Sequence, residues 1–142
     1  MWDIIRKLGA DHILNPVEPN DTLATRVQDL TGGGADVVFD YVGEHGTPEL
    51  GLAFLRNRGS YFTIGYGGEV SLPTLDLISR EISVVGNLVG TYTDLEELMA
   101  LTADGRVTLH TSSYPLGAYA EAIRDLEAGK VTGRAILVPE GR

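Results

Sequence analysis

Short apolar runs alternate with amphipathic stretches along this chain, and most of the apolar runs end in glycine or other turn residues. The clearest run is Val37-Val38-Phe39, which follows Thr31-Gly32-Gly33-Gly34 and precedes Asp40. A short continuous apolar run bounded by turn residues is typical of a buried parallel strand, and open α/β sheets bind ligands where such strands end. Residues 33–43 therefore predict a strand that opens onto a ligand crevice.

Two more apolar runs follow at the spacing of βα units. Residues 60–64 lead into Gly65-Tyr66-Gly67-Gly68, and residues 82–88 form a later run. Between the first two strands, Thr47-Pro48-Glu49 places a capping hydroxyl, a helix-starting proline and an acid at a helix N-terminus, and residues 56–59 are expected to close that helix. Strands that alternate with helices indicate an α/β fold with a parallel sheet.

Apolar residues that recur every three or four positions predict three further helices. The sets are Leu23, Val27 and Leu30; Leu95, Leu98, Met99 and Thr102; and Tyr119, Ile123 and Leu126. Thr93-Asp94-Leu95-Glu96 has a capping-box pattern, so we expect the second helix to begin there and to end by Gly105. Residues 109–114 and 134–138 are predicted as short strands.

The N-terminal residues predict a helix that leads into a strand. Ile4, Ile5 and Leu8 indicate the end of the helix, and Gly9 fits the left-handed position after it. Residues 12–15 then predict a short strand, because Pro16 would close it.

Composition and charge narrow the class of protein. The 142 residues are 43% hydrophobic and 22% charged, which predicts a single globular domain. A net charge of -9 disfavours nucleic acid and anionic membranes as partners, because both select basic surfaces. The chain has no cysteine, which excludes disulfides, thiolate metal sites and a thiol nucleophile. No apolar run approaches the about 18 residues of a membrane span, and the first residues lack a signal-peptide core, so the cytoplasm is the expected compartment.

Five segments, in this order, resemble the C-terminal portion of the medium-chain, zinc-type NAD(P)-dependent alcohol dehydrogenases. They are Lys7-Leu8-Gly9-Ala10-Asp11-His12, Leu30-Thr31-Gly32-Gly33, Ala35-Asp36-Val37-Val38-Phe39-Asp40, Val85-Gly86 with Val89-Gly90-Thr91, and Gly129 with Gly133-Arg134-Ala135. The resemblance implies a single partial domain. Residues 1–90 would be the second part of a Rossmann domain, and residues 91–142 a segment that returns to the catalytic domain in the family. The expected fold is an incomplete Rossmann-like parallel sheet, with family strands 3 to 6 and helices on both faces.

The resemblance also implies a coenzyme site at the ends of three strands. In the family, the residues after strands 4, 5 and 6 lie beside the coenzyme, and an arginine of the closing strand contacts its pyrophosphate. The matching residues here are Tyr41, Val42 and Gly43; Ile64, Gly65 and Tyr66; Asn87, Leu88 and Val89; and Arg134. The residue types agree, since small and apolar residues let main chain approach a coenzyme and a guanidinium suits phosphate. NAD is the implied cofactor, and the choice between NAD and NADP stays open.

No catalytic residue and no metal ligand are expected in this chain. Asp40 ends a strand where an acid could act, but the resemblance makes it a structural residue. His12, His45 and His110 lie on separate elements without a ligand-type spacing, so the zinc of the parent family would have no ligands here.

The family's sheet order, 3-2-1-4-5-6, raises a problem for residues 12–15. These residues match strand 3, which touches strand 4 only through strands 2 and 1, and no counterpart of strands 1 and 2 is evident in the sequence. Three outcomes stay open: direct pairing with residues 37–40, support from another chain, or marginal folding.

Three functions follow as hypotheses. The first is a coenzyme-binding fragment of an NAD-dependent alcohol dehydrogenase, inactive alone, whose parent transfers a hydride between a small alcohol or carbonyl substrate and the nicotinamide. The second is a non-enzymatic remnant that forms a homodimer through residues 82–88, whose family counterpart pairs across a two-fold axis, or that associates with a full-length dehydrogenase. The third is a fragment of a zinc-independent, quinone-reductase-like relative, which shares the pattern of residues 35–43.

Overall fold

The computed structural model describes residues 2–139, and the chain divides into two compact units. In chain order the elements are α1 (Trp2–Lys7), α2 (Asn20–Thr31), β1 (Ala35–Asp40), α3 (Thr47–Phe54), β2 (Leu55–Thr63), α4 (Thr74–Ser79), β3 (Ser83–Gly86), α5 (Tyr92–Ala103), β4 (Thr111–Pro115), a 3-10 turn (Leu116–Ala118), α6 (Tyr119–Glu127) and β5 (Arg134–Val138). The predicted α/β class with parallel pairing is confirmed. Within the described residues, no helix is both long and apolar enough to cross a bilayer.

The unit Asp11–Gly90 is built on a three-stranded parallel sheet in the order β1-β2-β3. Asp40 lies opposite Thr63, and Thr63 lies opposite Gly86. The three strands therefore end in step at their carboxyl ends. This register places the loops that follow them along one edge of the sheet.

Helix α3 and the sheet enclose the core of this unit. Leu52, Leu55, Tyr61 and Ile82 are buried there, and Tyr61 is fully inaccessible to solvent. Each such side chain contributes about 1.5–3 kcal/mol by leaving water. Gly51 allows the helix to approach, because a Cβ at this position would lie 2.7 Å from the Tyr61 ring.

The opposite face of the sheet is more exposed. Phe39 packs against Phe62 with ring centroids 5.1 Å apart, but 56% of Phe39 remains accessible to solvent. Alternate residues of a strand point to opposite faces, so Tyr61 and Val38 lie on the covered face, and Phe62 and Phe39 on the other.

The predicted strand at residues 12–15 is wrong. These residues form no strand, and no described residue pairs with β1 on its free side. Direct pairing with residues 37–40 is thereby contradicted. A strand is held by hydrogen bonds to a neighbour, so a sequence with strand-like character stays irregular where the neighbour is lacking.

The bounds of β2 and β3 also differ from the prediction. Strand β2 begins at Leu55, so residues 56–59 belong to the strand and do not close α3 as a loop. The pairing with β1 shifts register between Ala35 and Val37, and Arg58 has a φ of 65°, so this extension is irregular. Strand β3 is confined to Ser83–Gly86, shorter than the predicted 82–88.

The second unit combines residues 2–10 with residues 91–139 and holds a parallel pair, β4 and β5. Its helix α5 has a capping box, but the box begins two residues before the predicted position. The amide of Asp94 donates to Thr91 Oγ1 at 3.2 Å, and the amide of Thr91 donates to Asp94 Oδ2 at 2.6 Å. Asp94 therefore closes the box from its third position, and Thr93 has no part in it.

Candidate functional site

Three loops lie along the carboxyl edge of the three-stranded sheet. They follow β1, β2 and β3, which end in step at Asp40, Thr63 and Gly86. Nine of the ten residues predicted from the sequence lie in these three loops: Tyr41, Val42, Gly43, Ile64, Gly65, Tyr66, Asn87, Leu88 and Val89.

The carboxylate of Asp40 joins the first loop to the core. Its Oδ1 accepts hydrogen bonds from the amides of Val42 and Gly43, both at 2.9 Å. Its Oδ2 accepts from Thr47 Oγ1 at 2.8 Å and from the Tyr61 hydroxyl at 2.6 Å. Asp40 is only 6% exposed, so these four bonds replace its hydration. This is the structural role predicted for Asp40.

Main-chain contacts join the first loop to the second. The carbonyl oxygen of Asp40 accepts from the amides of Ile64 and Gly65, both at 2.9 Å. Gly43 and Gly65 touch through their backbones, and a Cβ on either one would overlap the main chain of the other loop. The amide of Gly68 donates to the carbonyl of Gly43 at 2.8 Å. Both loops are therefore held as one surface.

The protonation states of Asp40 and Tyr61 follow from these bonds. Burial alone would raise the pKa of Asp40, but hydrogen bonds from Tyr61, Gly43, Val42 and Thr47 outweigh it and leave the pKa below its usual value. Burial raises the pKa of Tyr61 well above its usual value, and the bond to the Asp40 carboxylate adds to the rise. The pair is thus an ionised carboxylate and a neutral phenol at neutral pH.

The third loop leaves β3 through Asn87. Its amide donates to the carbonyl of Thr63 at 3.1 Å, which continues the pairing with β2 by one residue. Its side-chain amide lies 3.3 Å from the Val85 carbonyl oxygen. Val89 follows with a φ of 50°, a left-handed conformation that is rare for a β-branched residue. Such an outlier at a loop tip is typical of functional sites.

The surface of the three loops is largely apolar and aromatic and carries no lysine or arginine. Tyr66 is 94% exposed and Leu88 is 90% exposed. The titratable side chains of residues 41–46, 64–73 and 87–91, besides the tyrosines, are Glu44, Glu69 and His45, and the His45 imidazole lies 3.4 Å from the Glu44 carboxylate. This edge can therefore present ring faces and main chain to a ligand, but no guanidinium or ammonium group to a phosphate.

The tenth predicted residue, Arg134, lies in the other compact unit. It begins β5, opposite Thr111, and its amide donates to the carbonyl of His110 at 2.9 Å. Its side chain is exposed.

The sequence pattern did not predict that Tyr61 holds the Asp40 carboxylate, and it wrongly predicted Thr47 as the cap of α3. Thr47 is not the helix cap, because Gly46 occupies that position and the Thr47 hydroxyl bonds Asp40. A tyrosine within an otherwise apolar strand is the signal available for Tyr61, since a buried phenol needs a hydrogen-bond partner.

Among residues 2–139, no three or more histidine, aspartate and glutamate side chains converge in a way that could hold a metal ion.

The fold and sequence of this chain are similar to those of known proteins. The crystal structure of the alcohol dehydrogenase from Aeropyrum pernix is similar, with a TM-score of 0.87 and 36% identity over 96% of this chain and 39% of that chain. The D-arabinose 1-dehydrogenase (NADP(+)) of Saccharolobus solfataricus is 30% identical over 96% of this chain and 39% of its own length. The NAD-dependent alcohol dehydrogenase of Sulfurisphaera tokodaii is 29% identical over 94% and 39%.

The chain spans about two fifths of the length of the curated relatives it matches. This coverage is consistent with the predicted resemblance to a C-terminal portion. Residues 8–137 also match the family described as zinc-binding dehydrogenase. The match covers far more than half of the chain and agrees with the fold and with the order of the sequence segments. The chain therefore belongs to the zinc-binding dehydrogenase family.

Proposed function

We propose that the unit Asp11–Gly90 binds the nicotinamide end of NAD, as the coenzyme-binding part of an NAD-dependent alcohol dehydrogenase. The observation that carries this proposal is the set of three loops that begin in step at the carboxyl edge of a parallel sheet. Ligands of open α/β sheets bind at this edge.

The residues of the loops fit one end of the coenzyme better than the other. The reduced nicotinamide ring is planar and uncharged, so the exposed Tyr66 and Leu88 suit it, and Gly43 and Gly65 let main chain approach the ribose. The pyrophosphate is anionic, and these loops hold no lysine or arginine. The sequence resemblance alone assigns the pyrophosphate contact to Arg134, and we keep that assignment as a separate proposal, because a guanidinium suits a phosphate.

The activity belongs, in this proposal, to the whole dehydrogenase. Bound NAD supplies a ring that accepts or donates a hydride, and the second reactant is a small alcohol or carbonyl compound. The carboxylate of Asp40 is committed to four hydrogen bonds, so we do not assign it a catalytic role. We assign no catalytic residue to this chain and, as part of this proposal, expect it to be inactive alone. We prefer NAD to NADP because the sequence resembles alcohol dehydrogenases. The similar alcohol dehydrogenase of Sulfurisphaera tokodaii is described as NAD-dependent.

A calorimetric titration with NADH and NADPH tests the coenzyme site. We expect saturable binding of NADH, weaker binding of NADPH, and an about tenfold weaker NADH affinity for Tyr66→Ala, which loses about 1–1.5 kcal/mol of ring stacking. Tyr92→Ala is the matched control, because Tyr92 is 75% exposed at the start of α5 in the other unit. A flat NADH titration, or equal affinities for the two variants, would refute the proposal.

The assignment of Arg134 has its own test. Arg134→Ala should weaken NADH binding and reduce the dependence of the affinity on salt, because an anion loses its cationic partner. Arg106→Ala, an exposed arginine in the same unit, is the control. Equal salt dependence for the two variants would remove Arg134 from the site.

A second proposal concerns association through the edge of the sheet. Within the described residues β3 pairs only with β2, and a groove of about 670 Å³ runs beside it between Leu72, Leu77, Ile82 and Val85. An unpaired strand edge with apolar surroundings favours strand addition. We propose a homodimer formed through residues 82–88, with the two edges facing each other.

Sedimentation equilibrium tests this association. Val84→Lys places a charge on the edge strand and should shift the mass toward the monomer. Val17→Lys, at an 85% exposed valine outside the sheet, should leave the mass unchanged. A monomeric mass for the unmodified chain at all concentrations would exclude the homodimer.

A further inference from the structure

We propose that Asp40 is a positioning residue, which fixes the conformation in which the loops after β1 and β2 meet the coenzyme. The inference rests on the coenzyme site proposed above and adds to it a residue that does not itself touch the coenzyme. Asp40 is 6% exposed and lies behind the loops, at the last position of β1.

Asp40 reaches both loops with different atoms. Its Oδ1 holds the amides of Val42 and Gly43, and its main-chain oxygen holds the amides of Ile64 and Gly65, all at 2.9 Å. One residue thereby orients four peptide units, two in each loop, around the point where the two loops touch. The side chain controls the first loop, and the main chain controls the second.

The other carboxylate oxygen is anchored in the core. Oδ2 accepts from Thr47, the first residue of α3, and from Tyr61. Tyr61 cannot move, because it is fully buried and its ring packs against Gly51. The carboxylate therefore links the buried core to the loop after β1 through hydrogen bonds.

Substitutions can distinguish the roles of the two carboxylate oxygens of Asp40. Asp40→Ala removes the acceptor for both loop amides. Asp40→Asn keeps an amide oxygen toward Val42 and Gly43 and turns an amino group toward the hydroxyls of Thr47 and Tyr61, both of which can accept. Thr47→Val removes only a core-side donor and serves as the structural control.

Amide hydrogen exchange on the full chain, measured by NMR beside an NADH titration, tests the proposal. For Asp40→Ala we expect the amides of Val42 and Gly43 to exchange at least tenfold faster and the Kd for NADH to rise at least tenfold. Asp40→Asn should restore both quantities to within about threefold of the unmodified chain. Thr47→Val should lower the midpoint of unfolding and leave the Kd within about twofold.

The outcomes separate this proposal from the one on which it rests. If the unmodified chain shows no NADH binding, the coenzyme site is refuted, and the role of Asp40 toward the coenzyme falls with it. If NADH binds but Asp40→Ala weakens it no more than Thr47→Val does, the site stands and Asp40 is only a stabilising residue. If Asp40→Ala does not fold, Asp40→Ser gives the same comparison, because one hydroxyl cannot serve both amides and both core hydroxyls.

Discussion

At the scale of single residues, the buried carboxylate of Asp40 accepts hydrogen bonds from four donors. Asp40 and Tyr61 share a hydrogen bond of 2.6 Å inside the unit Asp11–Gly90. A buried charge is tolerated only when its hydrogen bonds are satisfied, and a buried phenol needs an acceptor. Asp40 therefore supplies the acceptor that the buried Tyr61 hydroxyl needs, and Tyr61 supplies one of the donors that the buried Asp40 carboxylate needs.

The pair gives stability a defined dependence on alkaline pH. The pKa of Tyr61 is raised on folding, so its contribution is complete below about pH 10 and is lost as pH rises further, when the unfolded chain ionises first. We expect the free energy of unfolding to fall by up to about 1.4 kcal/mol per pH unit above pH 10 from this group. Tyr61→Phe should lack this component in urea denaturation.

Tyr66→Phe is the control for that series, because Tyr66 is 94% exposed. It should keep the slope of the unmodified chain. At neutral pH, Tyr61→Phe should be less stable by about 1–3 kcal/mol, since Asp40 loses one of its donors. A Tyr61→Phe variant with an unchanged alkaline slope would show that Tyr61 ionises equally in both states.

Gly51 offers a second test at this scale. Glycine to alanine inside a helix ordinarily stabilises by about 0.5–1 kcal/mol. Here the new Cβ would lie 2.7 Å from a ring carbon of Tyr61 and 3.3 Å from Val38, and neither can retreat inside the core. We therefore expect Gly51→Ala to destabilise by about 1–3 kcal/mol in denaturant unfolding.

A substitution at an unhindered glycine of the sheet serves as the control for steric overlap. Gly86 has no atom within 4 Å of an added Cβ, and alanine there should change stability by less than about 0.5 kcal/mol. Were Gly51→Ala to match or exceed the unmodified chain in stability, helix α3 could not approach the sheet as closely as described.

The loops at the sheet edge were more predictable than the residues that support them. Their positions could be predicted because strand ends carry local signals, namely glycine and small residues after an apolar run, and because family segments appear in order. Tyr61 escaped, since its partner Asp40 lies 21 positions away in the chain. Only the strand register brings them together, and no local pattern gives that register.

At the scale of elements, the exact start of a helix depends on which hydroxyl reaches which amide. Thr91 and Thr93 both precede acids that could close a capping box, and the sequence pattern favoured Thr93. In the structure Thr91 has the extended backbone of a cap residue, and its side chain accepts from Asp94. Helix α2 was predicted more reliably, because its apolar spacing and the glycines that follow it agree.

The capping box of α5 makes a direct prediction. Thr91→Ala should lower the free energy of unfolding by about 0.5–2 kcal/mol, because an N-terminal amide of the helix loses its acceptor. Thr93→Ala should change it by less than about 0.5 kcal/mol. Helix content and unfolding followed by circular dichroism would check both, and the reverse order of effects would place the cap at Thr93 after all.

The failed strand at residues 12–15 shows the limit of prediction for elements. Its sequence has strand character, but a strand exists only with a neighbour, and β1 has a neighbour only on the side of β2 among the described residues. Pairing between distant segments is a property of the assembled sheet. A local pattern can therefore predict a strand that does not form.

At the scale of the whole molecule, the buried side chains are unevenly shared between the two units. The unit Asp11–Gly90 has five buried hydrophobic side chains: Leu23, Leu52, Leu55, Tyr61 and Ile82. Among residues 2–10 and 91–139, the only buried hydrophobic side chain is that of Ala122. Stability against local opening follows buried apolar contacts.

Hydrogen exchange should reflect this division. We expect the amides of β2 that pair with β1 to exchange at least tenfold more slowly than those of β4 and β5, measured on the full chain at neutral pH. Thermal unfolding should then show an earlier transition for β4 and β5. Equal protection of the two sheets would indicate that the chain opens as one cooperative unit.

The contact between Gly43 and Gly65 limits how this edge of the sheet can be redesigned. A side chain at Gly43 would overlap the main chain of Gly65, and one at Gly65 would overlap the main chain of Tyr41 and Val42, so a smaller residue at the partner position cannot relieve either overlap. Directed evolution should therefore leave both positions untouched. Altered selectivity should arise instead at the outward side chains of Tyr41, Tyr66 and Leu88, where variation leaves the backbone as it is.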